Sequence, residues 1–240
     1  MWKRNKYLIL IFVIGFSCQA PKQEAEESKN TNEAETSLEM PAYLKGFETD
    51  WAESPREANR KWFKQAKFGL FMHYGVYSLL EKGEWVQLQE KIPVAEYAKL
   101  QERFTAEKFD ADFITDLVLE AGMKYINITA KHHDSFCLFK TAETDFNSLE
   151  APCGRDLIAE LYEACERKGL ALFLYYSYGA DWKHPYFYSR ESGWPSARPA
   201  YEQSQPEYKY EKKEDFQQYI DYAHNHLREL LTQYPNIAGI

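Results

Sequence analysis

Residues 129–136 read Thr-Ala-Lys-His-His-Asp-Ser-Phe, so His132, His133 and Asp134 follow directly on the apolar run 125–130. Ring nitrogens where a buried strand runs out mark a site more readily than a core, although a lone histidine there is usually structural. The pattern recurs. The run 68–72 ends at His73, and the run 170–174 ends at Tyr175-Tyr176-Ser177. Metal binding is one chemistry open to such a set, since imidazoles and a carboxylate are ordinary ligands. Adjacent strand residues point to opposite faces, however, so His132 and His133 share a target only if the strand has already bent into its loop. His224 and His226 sit on a helix at a spacing that does not face one target, and the three cysteines after position 100 show no C-x-x-C spacing. Serine hydrolysis would need a G-x-S-x-G elbow and phosphate binding a glycine-rich turn, and neither motif is present. Recognition of a neutral polyol by several hydrogen-bonding rings remains. No metal and no cofactor are expected.

The elements that must carry these residues alternate. A helix is expected over 51–66, then a strand over 68–73 and a long loop holding Glu84 and Trp85. A helix follows over 94–104. Another covers 110–121, with Phe109, Phe113, Leu117 and Ala121 at helical spacing and Gly122 ending it. The second strand is 125–130, and 131–155 is loop. Asp156 caps a helix whose stripe is Leu157, Leu161, Ala164 and Cys165, stopped by Gly169 before the third strand, 170–175. A loop over 177–210 leads to an amphipathic helix carrying Phe216, Tyr219, Ile220, Ala223, Leu227, Leu230 and Leu231, which Pro235 ends. Residues 236–240 then begin a fourth strand. Strands alternating with helices argue for an α/β fold with a parallel sheet buried on both faces. Long loops after strands and short turns after helices are the asymmetry of a (β/α)8 barrel, of which about four units are expected here, the N-terminal part of a longer protein.

Ahead of this domain, Lys3, Arg4 and Lys6 precede the short apolar segment 7–16, and Ser17-Cys18 follows. That reads as an export signal over 1–18 with Cys18 as the lipidated residue of a bacterial cell-envelope lipoprotein, Gly15 standing where leucine is usual. An ordinary secretory peptide is the alternative, and export is expected either way. Residues 19–45 are read as a disordered acidic tether and 46–240 as the domain. The formal net charge of −8 makes nucleic acid a poor partner. Aromatic residues make up 16% of the chain, with 18 tyrosines and 6 tryptophans, rings with an apolar face and a polar tip that suit sugar binding and core packing alike.

Several segments in unbroken order resemble the catalytic domain of family 29 glycoside hydrolases, the α-L-fucosidases. They are Ala66 to Gly75 (AKFGLFMHYG), Gly83-Glu84-Trp85, Ala121 to Tyr125, Lys131 to Phe136, Arg155-Asp156-Leu157 and Tyr175-Tyr176-Ser177. Tyr74 stands where tryptophan is usual, and Ser135 where glycine is usual. The resemblance implies a (β/α) barrel and an exo-acting, retaining mechanism with an aspartate nucleophile and a separate acid/base carboxylate. It also implies that His73, Glu84, Trp85, His132, His133 and Tyr175 hold fucose from a glycan substrate. The nucleophile is then expected a few residues beyond Ile240, on the fourth strand, so that this chain alone would lack turnover. Asp134 reads instead as a loop-ordering carboxylate and Asp156 as a helix cap. The competing expectation is a surface glycan-binding lipoprotein that keeps the pocket without catalysis.

Overall fold

In the computed structural model, residues 39–240 are described. The proposed signal, Cys18 and residues 19–38 lie outside them. At the other end of the expected tether the chain is already part of the fold. Residues Ala42–Leu44 form a 3-10 turn, and Tyr43 and Leu44 are buried among Ala58, Trp62 and Ala66.

The helix expected over 51–66 is two, α1 (Glu48–Glu53) and α2 (Pro55–Ala66). Pro55 cannot continue a preceding helix but suits the first turn of a new one, and the Ser54 hydroxyl caps α2 by accepting from the Glu57 N–H. Strand β1 (Leu70–Met72) follows, then a 3-10 turn, α3 (Val86–Gln89) and α4 (Val94–Ala98), which passes into a 3-10 turn over Lys99–Arg103. Helix α5 (Ala111–Glu120) leads to β2 (Tyr125–Lys131), and α6 (Leu157–Lys168) to β3 (Ala171–Tyr176). The α6 start is as expected: the Asp156 carboxylate accepts from the Ala159 N–H, and Gly169 ends the helix at φ +67°. Helix α7 (Phe216–Gln233) closes the series.

The three strands form a parallel sheet in the order β1-β2-β3. The expected fourth strand is one parallel bridge, Gly239 beside Phe173, on the free side of β3. There Ala238 N–H donates to the Leu172 carbonyl and Leu174 N–H to that of Gly239. Side chains alternate across the sheet with a period of two. Ile126, Ile128, Ala130, Leu172 and Leu174 are buried against Val118 of α5, Leu157, Ile158 and Leu161 of α6, and Ala223 and Leu230 of α7. Each valine, isoleucine or leucine among them contributes about 1.5–3 kcal/mol when fully buried.

The opposite face carries Phe71, Asn127, Tyr125, Phe173, Thr129 and Tyr175. Helix α2 covers its N-terminal end, with the Phe63 ring 5.7 Å from Tyr125 and 5.6 Å from Phe173. The sheet is therefore fully covered on one face and only partly on the other, where Phe63 and Phe71 remain about half exposed. Gly69 is required where β1 passes Tyr125, because a Cβ there would overlap the tyrosine ring.

Helix α5 also departs from the expected stripe. Phe113 and Leu117 are exposed, and the buried positions are Thr115 and Val118. The Thr115 hydroxyl donates to the Ala111 carbonyl, which lets a polar side chain occupy the inner face.

Candidate active site

The period of two decides which strand-end residues meet. Met72 pairs with Ile128 and Thr129 with Tyr175, so His73 and Tyr175 continue the face of Phe71 and Phe173, opposite the helices α5 to α7. The Phe71 ring lies 4.6 Å from His73 and 5.8 Å from Tyr175.

His132 and His133 reach the same place by leaving the strand. The pairing of β2 with β3 slips by one residue between Thr129 and Lys131, a bulge that ends the regular pleat. A turn follows, in which Ser135 N–H donates to the His132 carbonyl at 3.0 Å. Ser135 takes φ +74°, a left-handed conformation that glycine adopts easily and serine at some cost. Its hydroxyl donates to Asp181 Oδ2 at 2.9 Å, which offsets that cost. The condition for two adjacent histidines to share a target is thus met, and their ring centroids are 4.1 Å apart.

The rings gather into one cluster. His132 lies 5.4 Å from His73, 5.7 Å from Tyr175 and 5.6 Å from Tyr77. Trp85 meets His133 edge-on at 5.2 Å, and Trp182 does so at the same distance from another side. His73 is exposed, His132 buried, and His133, Tyr175, Trp85 and Glu84 are half-buried. Glu84 makes no hydrogen bond among the described residues, but its carboxylate is close enough to raise the proton affinity of His133, Tyr77 and Tyr175. Five of the six candidate residues are therefore brought together ring to ring, and Glu84 adjoins them as the chain neighbour of Trp85. Tyr74 is not among them: it stacks on Phe109 at 5.5 Å and touches Phe104, so its departure from tryptophan falls on core packing.

Both paired histidines are neutral near pH 7. Burial, followed by the charges of His133, His73 and Lys131, pushes His132 down to about 2. Burial and Lys131 bring His133 to about 4, against the opposing pull of Asp181, the Ala180 carbonyl and Glu84. Among the described residues no three His, Cys, Asp or Glu side chains stand close enough to share a metal ion.

Behind the rings lies machinery that the sequence pattern did not mark. Lys131 belongs to β2 rather than the loop, is fully buried, and pairs with the equally buried Asp181 at 2.7 Å. Burial alone would depress the Lys131 ammonium and raise the Asp181 carboxyl. Each partner's charge more than reverses this, so Lys131 is held above and Asp181 well below its ordinary range. Asp181 also accepts from the N–H groups of Lys183 and His184. Asp134 orders its loop by accepting from the Phe136 N–H at 3.0 Å and from the Tyr97 hydroxyl at 2.9 Å, and burial pushes it up to about 6. Trp182, Tyr77 and Ser177 complete the surround. A lysine inside the His-His segment was the one available signal, because a strand-end lysine next to buried rings needs a counter-charge.

Comparison with known proteins identifies the family. The family model described as alpha-L-fucosidase matches residues 36–238. The tissue alpha-L-fucosidase of Rattus norvegicus is 33% identical over 165 residues, covering 61% of this chain and 36% of its own length. The chain spans about a third of the curated relatives it matches. Alpha-L-fucosidase isoenzyme 1 from Paenibacillus thiaminolyticus superposes with a TM-score of 0.63 at 38% identity, covering 76% of this chain and 42% of that one. Alpha-L-fucosidase AlfC from Lactobacillus casei, solved with α-L-fucose product, gives 0.64 at 33%, covering 75% and 60%. With a family model matched across nearly all of the described residues, this chain belongs to the alpha-L-fucosidase family.

Proposed function

We infer that the protein is an exo-acting, retaining α-L-fucosidase that releases terminal L-fucose from glycans. The observation that carries this reading is the convergence of His73, His132, His133 and Tyr175, with Trp85 and Glu84 beside them, at the C-terminal edge of a parallel sheet. Those groups hold the sugar. The imidazoles and a tyrosine exchange hydrogen bonds with its hydroxyls, and the faces of Trp85 and Phe71 take its apolar side.

The parallel order β1-β2-β3, with Gly239 bridging to the free side of β3, supports a (β/α)8 barrel. The nucleophilic aspartate belongs on the strand that Gly239 begins, at the same edge of the sheet as Tyr175. Asp134 and Asp181 are poor substitutes because their oxygens are already engaged by Tyr97, Lys131, Ser135 and backbone N–H groups. In the retaining route the two carboxyl groups stand about 5–5.5 Å apart, one attacking the anomeric carbon while the other protonates the leaving oxygen. Cys18, when lipidated, anchors the exported protein to the cell envelope.

The test is an assay of the full-length protein on nitrophenyl α-L-fucoside and the corresponding galactoside, with the anomer of the first product read by NMR. Fucose released with retained configuration is expected. His132→Ala should weaken inhibition by fucose about tenfold, the cost of one unpaired buried hydrogen-bonding group. Fucose binding without turnover in the full-length protein would replace the enzyme with a glycan-binding lipoprotein. Inverted product would overturn the two-step route.

A further inference from the structure

Ser177 sits at the end of β3 with its backbone held on both sides. Its N–H donates to the Lys131 carbonyl at 2.9 Å, and its carbonyl accepts from Lys131 Nζ at 3.1 Å. The side chain is buried, with the Tyr175 hydroxyl nearby and two groups at close range. Oγ is 2.7 Å from the Ala180 carbonyl oxygen and 2.5 Å from His133 Nδ1. A carbonyl oxygen cannot donate, so the single hydroxyl proton of Ser177 is directed at Ala180. The short contact with His133 then has a proton only if Nδ1 supplies it.

The geometry points to Ser177 as a positioning residue that fixes His133 as its Nδ1–H tautomer, so that the ring offers an unprotonated Nε2 to a sugar hydroxyl. That Nε2 has no hydrogen-bond partner among the described residues. The ring cannot drift, because Trp182 N–H donates to the His133 carbonyl at 2.7 Å and Trp85 and Trp182 flank the imidazole. The buried Lys131–Asp181 pair acts one layer further back. Lys131 grips the Ser177 carbonyl while Asp181 binds the N–H groups of the segment that carries Ala180 and Trp182.

His132 has the opposite polarity. Its Nδ1 is buried with no hydrogen-bond partner among the described residues, and an orphaned N–H is rarer in folded proteins than an under-satisfied acceptor. The proton therefore belongs on Nε2. Two rings 4.1 Å apart thus present one donor and one acceptor. Such a pair matches a hydroxyl, which gives and takes a proton at once, and discriminates against a group that only accepts. The sugar part of this inference rests on the fucosidase reading, whereas the tautomer does not.

The experiment labels the full chain with ¹⁵N-histidine and reads the tautomers from long-range proton–nitrogen correlations near pH 7. His133 is expected as a single neutral form protonated at Nδ1. Ser177→Ala should move its nitrogen shifts toward a mixture of tautomers, and Ser177→Thr, which keeps the hydroxyl, should restore them. An Nε2–H form of His133 in the native chain, or shifts unchanged in Ser177→Ala, overturns the proposal. Deoxy and deoxyfluoro L-fucoses supply the second arm on the full-length protein. At the ring position beside His133, fluorine should cost as much affinity as hydrogen, about tenfold for one lost hydrogen bond, because fluorine cannot donate. Recovery of affinity with fluorine refutes the acceptor role. If His133 carries Nδ1–H and no fucose analogue binds, the tautomer assignment stands and the substrate reading is the part that fails.

Discussion

Replacing Asp181 by asparagine changes one atom at a fully buried ion pair, and its cost can be worked from the contacts. The carboxylate accepts four hydrogen bonds: from Lys131 Nζ at 2.7 Å and Ser135 Oγ at 2.9 Å on one oxygen, and from the N–H groups of Lys183 and His184 at 3.1 and 2.6 Å on the other. Asparagine keeps an acceptor for the backbone pair. Its amide then faces Lys131 and Ser135 with donors against donors, and leaves the Lys131 charge with the Ser177 carbonyl as its remaining hydrogen-bond acceptor. Breaking a buried pair from one side costs about 3–5 kcal/mol, and this arrangement belongs at the upper end. A domain stable by about 5–15 kcal/mol loses a large share of that. Lys131→Met should cost less, because Asp181 retains three donors, and the double variant should be more stable than Asp181→Asn alone.

Urea denaturation midpoints measure all three. Asp112→Asn is the control, since its pair with Arg167 and Lys168 is exposed and screened by water. The pH range follows from the shifts. Asp181 is depressed, so its contribution is present above the unfolded carboxylate value of about 3.9 and is lost as pH falls below it. Lys131 is raised, so its contribution is present below about 10.4 and is lost as pH rises beyond that. The gap between native and Asp181→Asn should therefore hold constant from about pH 5 to 9. An Asp181→Asn midpoint as close to native as that of Asp112→Asn would refute the reasoning.

Ser135→Ala should lose about 1.5–3 kcal/mol, because it keeps the positive φ and removes the hydroxyl that binds Asp181, whereas Ser135→Gly relieves the backbone and should lose less; chemical denaturation of the two variants ranks them. Asp134 is raised to about 6, so its ionised form opposes folding above that pH, and lowering the pH toward 4 removes the penalty. Asp134→Asn should therefore be at least as stable as native at pH 8, by up to about 3 kcal/mol, and lose the advantage by pH 4; melting temperatures at the two pH values check this. His132 is depressed to about 2, so the unfolded chain binds its proton first, and stability should fall by about 3 kcal/mol as pH drops from 6.5 to 4. In His132→Gln that part of the decline should disappear from a melting-temperature profile.

Much of this was legible because it is local. The Asp156 cap, the Gly169 stop, the apolar runs of β2 and β3, and the rings at their ends are each written within a dozen residues. What escaped depends on partners far away in the chain. Lys131 reads as the first residue of a loop until Asp181, fifty positions on, supplies its counter-charge. The stripe Phe109, Phe113, Leu117 fits a helical period, yet the inner face of α5 passes through Thr115 and Val118, because packing on α6 and the sheet selected among two apolar arcs. On α7 the buried face is centred on Tyr222 and His226, with Leu231 exposed, since the Tyr176 hydroxyl meets His226 Nδ1 at 2.9 Å and draws that polar side chain inward. The break before Pro55 was local, and a serine followed by proline within a helical pattern was its signal.

The electrostatic layout argues for a neutral ligand. A pocket built to hold a carboxylate or phosphate would turn its cations toward the opening, usually as arginine forks. Here the cation Lys131 is buried behind the histidines and neutralised by Asp181, and the His132 and His133 imidazoles are kept uncharged by burial and by that same lysine. The charged pair sets orientation, through Ser177 and the segment after it, and leaves the rings to exchange hydrogen bonds without net charge, with Glu84 as the carboxylate beside them. A neutral sugar loses little by leaving water for such a surface, provided each hydroxyl finds a partner of the correct polarity. On the fucosidase reading the cluster's part is to bind and orient, and the charge that cleaves the glycosidic bond comes from carboxylates other than the engaged Asp134 and Asp181.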